Sequence, residues 1–413
     1  MIKFDKYYLL NFFEKITSFF VLFYYGSVVI IGTGEINFVN KLIFPIYTLF
    51  LFYYLISNYY HEKLKSKDLT KLVSILWLTV LYFNYSIIIN YSDLNIGWFL
   101  GDLTVIVCLL ISIIIGKKIN IFKNIHNYFD ILVFIIFSLL LLDFFFNYES
   151  EAGQLRMYSR LIFVPSYFLY KFFKLQKSIY FYLFVACLIL SIFTNMRYAF
   201  IVTVFYLLLY TFLFSKDFFI NLFKRKGILF LFTAILFFSF FTENPFFARW
   251  RFFDLFSTDI NTSQLGLITT FSSRYFEVID TFSHIINTFN PLTILFGNGA
   301  GAAFKAELFW IWADNDYYNV SDSFTSQSHK HIIHFGPVRI FFRYGILGLL
   351  IVGFFLTDLI KYIKNNYHLN TLSLAIAITL CALSLRLFIQ PVFNDLIISI
   401  LIIAFYNLQR IEK

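Results

Sequence analysis

The sequence predicts an all-α, polytopic helical membrane protein with about 12 transmembrane helices. Apolar residues make up 60% of the 413 residues, charged residues only 14%, and the mean hydropathy is +0.74. These values lie far outside the range of soluble globular domains. The apolar runs are long and do not alternate in polarity, whereas barrel strands would be tilted, alternating segments of about 10 residues. The composition therefore favours a helical bundle.

The apolar segments define the predicted spans. They are residues 16–32, 41–57, 72–91, 94–115, 129–147, 160–174, 179–195, 197–214, 227–242, 336–357, 371–388 and 392–408. Basic residues precede the first segment and follow every second one. Because short cytoplasmic loops are rich in Lys and Arg, both termini are predicted to be cytoplasmic. The chain then divides into a bundle over 1–242, one large external loop over 243–335, and a second bundle over 336–413.

Lysine and arginine are distributed differently between the two predicted sides. The cytoplasmic basic residues are nearly all Lys, whereas most of the others are Arg. The external or intramembrane arginines are Arg156, Arg160, Arg197, Arg249, Arg251, Arg274, Arg339, Arg343 and Arg386. A guanidinium binds phosphate through two parallel hydrogen bonds and stays charged when partly desolvated, which makes this set candidate phosphate ligands. Snorkelling at helix ends or pairing with acids explains part of the set.

The external loop contains an amphipathic segment and a glycine-rich turn. Residues 272–296 are predicted to form one helix, because Tyr275, Ile279, Phe282 and Ile286 recur at helical spacing. Its apolar face is expected to lie against the bundle or the membrane interface. The sequence Gly-Asn-Gly-Ala-Gly at 297–301 predicts a turn, and its backbone amides offer a second interpretation as a phosphate cradle.

Three histidines, His329, His331 and His334, end the loop. No carboxylate or thiol lies at a strong ligand spacing from them, so no metal site is predicted. As a general base, one histidine needs only reach and the right protonation state. Pro337 suits the first turn of the next span, which places His334 beside a helix N-terminus that disfavours imidazolium and attracts anions. The structural alternative is an interfacial histidine bonded to a loop carbonyl.

Two arginines follow inside the predicted span 336–357. Arg339 and Arg343 stand four residues apart and therefore share one helix face. A charged side chain near the centre of a span costs about 2.5–3.5 kcal/mol on insertion scales. Such residues are usually functional and face a wet cavity or a partner rather than lipid.

Other functional classes are excluded or disfavoured by the sequence. The net charge of +9 lies mostly on the predicted cytoplasmic loops, and no aromatic and basic strip suits nucleic acid. No Walker loop or dinucleotide fingerprint is present, so no cofactor is expected. Cys108, Cys187 and Cys381 all lie inside predicted spans and form no disulfide framework. The first span lacks a small-residue cleavage site and is expected to be retained.

Several motifs resemble those of the superfamily of O-antigen polymerases (Wzy-type) and O-antigen ligases. His334 is followed by Tyr344-Gly345-Ile346-Leu347-Gly348, which is similar to the family's histidine-to-GIIG pattern. Ser273-Arg274 and then Leu295-Phe296-Gly297-Asn298-Gly299 resemble its SR and GxG segment, and Arg197 is similar to its upstream arginine. The resemblance covers residues 197–348. Phe335 replaces the Asn that often follows the family histidine, which leaves His331 and His334 both open as the working residue.

The resemblance implies a metal-independent, GT-C-like glycosyltransferase of the bacterial inner membrane. Its donor would be an oligosaccharide linked to undecaprenyl diphosphate, and a chain-length regulator protein is a further expected partner. His334, Arg274 and Arg197 would then be catalytic. The residues expected to bind substrate or diphosphate are Arg339, Arg343, Arg156, Arg160, Arg249 and His331.

Three functions remain as interpretations of these features. An O-antigen polymerase would transfer the growing glycan to a lipid-linked repeat unit, whereas a ligase would transfer it to a lipid A core. We favour the polymerase because of the long loop and the divergent Phe-, Ile-, Tyr-, Asn- and Lys-rich sequence. A lipid-linked oligosaccharide flippase is the non-enzymatic alternative. Against it, the sequence shows no internal repeat and no Gly- or Pro-broken pair of helices.

Overall fold

The described part of the protein is almost entirely helical, which confirms the predicted all-α class. The computed structural model describes residues 6–31, 33–62, 66–90, 96–119, 121–122, 124–147, 162–193, 197–214, 275–287, 290–305, 329–330, 336–385 and 396–411.

The elements follow one another in this order. Helices α1 to α5 span Lys6–Ile31, Thr33–Glu62, Ser66–Ile89, Ile96–Lys118 and Ile125–Asn147. Helices α6 to α8 span Phe163–Leu175, Ser178–Phe193 and Arg197–Phe214. Helix α9 covers 275–287, and α10 covers Pro291–Phe296. Helices α11 to α13 span Gly336–Asn366, Leu372–Leu385 and Leu396–Ile411. Strands β1 (Phe304–Lys305) and β2 (His329–Lys330) pair antiparallel.

The helices coincide with the predicted apolar segments. Every predicted span except 227–242, which lies outside the described residues, overlaps a described helix. Helix α8 matches its predicted bounds at both ends, and α11 begins at the predicted residue and continues to Asn366. Among the described helices, two are long and apolar enough to cross a membrane, over Ile125–Phe144 and Gly336–Asn366. Several other described helices are apolar but shorter.

The chain divides into two compact units. The first comprises Met1–Leu132, Phe271–Lys361 and Leu380–Lys413, and the second comprises Val133–Thr270 and Tyr362–Thr379. In the second unit, α6, α7 and α8 pack on one another. Phe173 of α6 stacks on Tyr210 of α8 at 6.2 Å between ring centroids, and Ser166 shares a hydrogen bond of 3.3 Å with the Tyr210 hydroxyl.

In the first unit, α4 and α13 pack through small and polar residues. Gly116 brings the two helices together, since an added Cβ there would lie 2.9 Å from the Tyr406 Cβ. The Ser112 and Ser399 hydroxyls are 2.6 Å apart. The Asn407 side chain donates to the Gly116 carbonyl at 3.0 Å, one of the last carbonyls of α4. Close approach at small residues with hydrogen bonds between helices is typical of helix packing in membranes.

We expect Gly116→Ala to destabilise the protein by about 1–3 kcal/mol, because the new methyl group overpacks a closed helix contact. Gly26→Ala in α1 is the matched control, since among the described residues no atom outside the neighbouring helix backbone lies within 4 Å of its added Cβ. The control should unfold at or slightly above the wild-type temperature, because Ala favours helix over Gly. The readout is the thermal unfolding midpoint in detergent. An unchanged midpoint for Gly116→Ala would contradict the close α4–α13 contact.

The first unit has two chemically distinct ends. At one end, Lys117 of α4 lies 3.4 Å from Asp358 of α11. At the other end, the turn 297–301 contacts the end of α3 and the start of α4. The glycine-rich turn and the Lys117–Asp358 pair therefore lie near opposite ends of α4. The ion pair between Lys117 and Asp358 contributes little stability, because both side chains are about half exposed to solvent.

Candidate functional site

Helix α11 is broken two residues after the second arginine, Arg343. Gly345 has φ 62° and ψ −158° in the middle of the helix. This backbone conformation is essentially restricted to glycine. It interrupts the hydrogen bonds that would join residues four apart, so the carbonyls of Phe342 and Arg343 turn away from the helix axis. The transporter alternative was disfavoured partly because the sequence showed no broken helix pair, and at least one described helix is in fact broken.

Backbone amides of the glycine-rich turn hydrogen-bond to the carbonyls at the break in α11. The amide of Asn298 donates to the Phe342 carbonyl at 2.6 Å, and the amide of Gly299 donates to the Arg343 carbonyl at 3.1 Å. The Tyr82 hydroxyl of α3 donates to the Arg343 carbonyl as well, at 2.6 Å. Carbonyls freed in the middle of an apolar helix need such replacement donors, because an unpaired buried carbonyl is costly. We call residues 297–299 with residues 342–345 the glycine joint.

Two glycines allow the backbones to touch in the glycine joint. Gly297 has φ 76° and ψ −176°, in the same region as Gly345. An added Cβ on Gly297 would collide with the carbonyl of Arg343, and one on Gly345 would collide with the backbone of Leu295. The two glycine motifs that the sequence presents separately therefore form a single structural element.

Helix α3 anchors the turn from the other side. The Tyr85 hydroxyl donates to the Gly297 carbonyl at 2.7 Å, and the Asn90 side chain donates to the Asn298 carbonyl at 2.8 Å. The Ala300 amide donates to the Ser86 hydroxyl at 3.0 Å. The amides of 298, 299 and 300 are thus all committed to protein acceptors. The prediction of a turn is confirmed, and its interpretation as a phosphate cradle is wrong, because these donors face protein groups.

Arg343 and Arg339 occupy the helical segment that leads into the glycine joint. Arg343 is fully buried, although it is among the largest side chains of the protein, and Arg339 is half-buried. The Tyr82 and Tyr344 rings lie beside Arg343, with centroids 5.9 Å apart. Burying a guanidinium costs several kcal/mol unless it is well compensated. The buried Arg343 is therefore a candidate functional residue. Both arginines were singled out from the sequence, and their spacing places them on one helix face, as predicted.

The amphipathic segment forms two helices rather than one. Helix α9 is described over 275–287, and the backbone is extended at Asn290, with φ −141° and ψ 127°. Helix α10 then begins at Pro291, with the Asn290 side chain accepting from the Leu292 amide at 2.9 Å. Of the two predicted placements of the apolar face, packing against the bundle is wrong, and the membrane interface stays a prediction. Tyr275, Phe282 and Ile286 are exposed. The opposite face carries the buried side chains.

That buried face of α9 is polar. Glu277, Asp280 and Thr281 are each less than 5% exposed. Val278 and Ile285 flank them and pack against a core of Ala302, Phe304, Val338 and Phe342. The His284 ring also contacts Phe342 edge-on, with centroids 5.8 Å apart. The two carboxylates escaped the sequence analysis, although their spacing of three residues on a helix was a readable signal.

The polar residues of α3 were missed as well. Tyr82, Tyr85, Ser86 and Asn90 follow helical spacing, because 82, 86 and 90 are four apart and 85 lies three after 82, in a mostly apolar span. This spacing places them on one helix face, and that face holds the glycine joint. A polar stripe along an apolar helix indicates a contact surface for other polar groups.

The remaining predicted site residues are Arg197 and six residues outside the described part of the chain. Arg197 is the first residue of α8, in the second unit. Six others lie outside the described residues: Arg274, His331, His334, Arg156, Arg160 and Arg249. His329 is the first residue of β2, opposite Lys305. Within the described residues, no group of three His, Cys, Asp or Glu side chains is placed to hold a metal ion.

The comparisons with known proteins add no relative. No protein-family model, no curated protein and no solved structure matches the chain.

Proposed function

We propose that the protein is a multi-pass glycosyltransferase of the bacterial inner membrane that polymerises an O-antigen-type surface polysaccharide. Both termini are cytoplasmic in this proposal, and the fold is GT-C-like. The observation that carries it is the fully buried Arg343, which the glycine joint holds at the loop end of the first unit. A buried cation at the junction of an apolar bundle and a polar loop suits an anionic head group on a lipid tail.

The proposed donor is a glycan on undecaprenyl diphosphate, and the acceptor is a lipid-linked repeat unit. An acceptor hydroxyl attacks the anomeric carbon, the bond from that carbon to the diphosphate oxygen breaks, and undecaprenyl diphosphate leaves with the electron pair. His334, or His331 in its place, takes the hydroxyl proton. Attack from the face opposite the leaving group inverts the anomeric centre.

The arginines act on the leaving group in this mechanism. Negative charge grows on the diphosphate as the glycosidic bond breaks, and fixed cations stabilise that charge most in a water-poor site. Arg274, Arg197 and Arg343 carry this role, with Arg339, Arg156, Arg160 and Arg249 as further ligands. No metal or nucleotide is required, because the activated donor supplies the free energy.

His334→Ala and Arg274→Lys test the residues taken from the resemblance. A general base contributes about 10²–10⁴-fold to a rate, so His334→Ala should abolish detectable polymer. Arg274→Lys should do the same, because an ammonium cannot replace a bidentate fork. The readout is the length distribution of surface glycan in a strain that carries only the variant, with membrane expression checked by immunoblot. Polymer of wild-type length in either variant would remove that residue from the mechanism.

Deletion of the gene separates the proposed polymerase from its alternatives. Loss of a polymerase leaves single-repeat glycan at the cell surface, and loss of a ligase leaves finished polymer on the lipid carrier. Loss of a flippase leaves repeat units on the cytoplasmic side. The break in α11 is the one observation that favours a transporter, since discontinuous helices frequently form transport sites.

A further inference from the structure

Helix α9 has two faces of opposite character, and the apolar one points outward. At about 100° per residue, Tyr275, Ile279, Phe282 and Ile286 fall within a sector of roughly 60°. Tyr275 is 63% exposed, Phe282 42% and Ile286 69%. An apolar stripe on the outside of a helix is the reverse of what water selects.

The orientation of α9 is fixed by its other face. Glu277, Asp280 and Thr281 are buried nearly opposite the apolar stripe. Val278 and Ile285 pack against the core that contains Val338 and Phe342. Rotating the helix to hide the stripe would expose this core and relocate two carboxylates. The packing of α9 therefore fixes the outward orientation of its apolar stripe.

The apolar surface continues from α9 onto α10 and α11. Leu292 and Leu295 of α10 are both about half exposed. Phe282 meets Phe341 of α11 with ring centroids 6.4 Å apart. Gly345 of the glycine joint touches the backbone of Leu295, and the following turns of α11 expose apolar side chains. These are Ile346, Leu347, Leu349, Leu350 and Phe354.

This continuity identifies the occupant of the surface. Helix α11 is long and apolar enough to span a membrane, and little of its apolar window is covered by protein. If α11 is inserted in a membrane, its exposed apolar side chains face lipid. The exposed apolar side chains of α9 and α10 lie next to them and form one continuous apolar surface. A soluble partner protein would have to bind across that lipid boundary.

We propose that α9 and α10 form an interfacial anchor, lying in the outer-leaflet surface of the bilayer with the stripe from Tyr275 to Ile286 among the acyl chains. Ser283 and Asn287, which are exposed beside the stripe, point to the head-group side. The inference rests on the membrane insertion in the proposed function and is independent of the transferase chemistry. The anchor holds the start of α11 at the depth where a lipid-linked head group enters.

Nitroxide accessibility tests this inference. The three native cysteines, Cys108, Cys187 and Cys381, are replaced by alanine, and one label is attached to Ile286→Cys in the full chain. Ser283→Cys is the matched control on the same helix, and Phe354→Cys is the control within α11. The protein is placed in nanodiscs of phosphatidylethanolamine and phosphatidylglycerol. Power saturation then compares collisions with oxygen, which partitions into lipid, and with a water-soluble nickel chelate.

The anchor predicts that the label at 286 collides severalfold more with oxygen than with nickel, and that the label at 283 shows the reverse preference. The label at 354 should be more strongly shielded from nickel than either. A water-exposed label at 286 with a lipid-exposed label at 354 would overturn the anchor and leave membrane insertion standing. Low collision rates with both reagents at 286 would also overturn it, because they indicate a protein contact or a second copy. A water-exposed label at 354 would overturn insertion itself.

Discussion

Gly345→Ala is expected to unfold the glycine joint and remove most folded protein from the membrane. The residue has a positive φ in a region that L-residues avoid, which alone costs about 1–3 kcal/mol. The new Cβ would in addition collide with the backbone of Leu295, which cannot move as a flexible side chain would. Backbone strain together with a clash belongs to the few mechanisms by which one substitution exceeds about 4 kcal/mol. Gly297→Ala should behave in the same way, because its Cβ would meet the Arg343 carbonyl.

The same helix offers a matched control. Gly353 lies about two turns further along α11, and its added Cβ has open space around it in the part of the chain that the structure describes. Gly353→Ala should therefore be neutral or stabilising by about 0.5–1 kcal/mol. The measurement is the yield of monodisperse protein in detergent, followed by the thermal unfolding midpoint. Equal yields and midpoints for Gly345→Ala and Gly353→Ala would show that the break in α11 does not exist in the native protein.

Arg343→Lys is expected to abolish glycan transfer while the protein still folds. Lysine keeps the charge and most of the length, so it preserves the electrostatics of the buried position better than a neutral residue would. It removes the planar fork that binds a diphosphate oxygen pair. Losing one charge-stabilising donor at a reaction centre typically lowers a rate by about 10²–10³-fold. The surface glycan should therefore fall to the single-repeat form.

Arg410→Lys is the control for that substitution. Arg410 is an exposed arginine in the last turn of α13, on the predicted cytoplasmic side. It should support polymer of wild-type length. If Arg343→Lys also gives polymer of wild-type length, Arg343 does not bind the diphosphate and its role is structural.

The positions of the helices were predictable because the signals are local. A run of apolar residues defines a span wherever it lies in the chain, and Pro337 marked the start of α11 within one residue. The break between α9 and α10 was also readable, since Asn290 followed by Pro291 is a typical helix start. The buried arginines were found for a similar reason, because a charge in an apolar span stands out by composition.

The glycine joint was not predictable, because its partners are distant in sequence. A glycine inside an apolar span is compatible with a straight helix, and nothing near Gly345 indicates a break. The acceptors of the turn amides lie about 40 residues later on α11 or more than 200 residues earlier on α3. The choice between the two predicted placements of the apolar face of α9, against the bundle or at the membrane interface, was also not predictable, because the residues that α9 packs on are distant in sequence.

Native mass spectrometry of the purified protein with undecaprenyl diphosphate tests the central claim most directly, since it asks whether the buried Arg343 binds the diphosphate independently of any transfer. The wild-type chain and Arg410→Lys should both retain one lipid diphosphate after release from detergent, and undecaprenyl monophosphate should bind more weakly. Arg343→Lys should lose at least about tenfold in affinity, equivalent to about 1.4 kcal/mol. Equal retention of the lipid diphosphate by Arg343→Lys and the wild type would contradict the account.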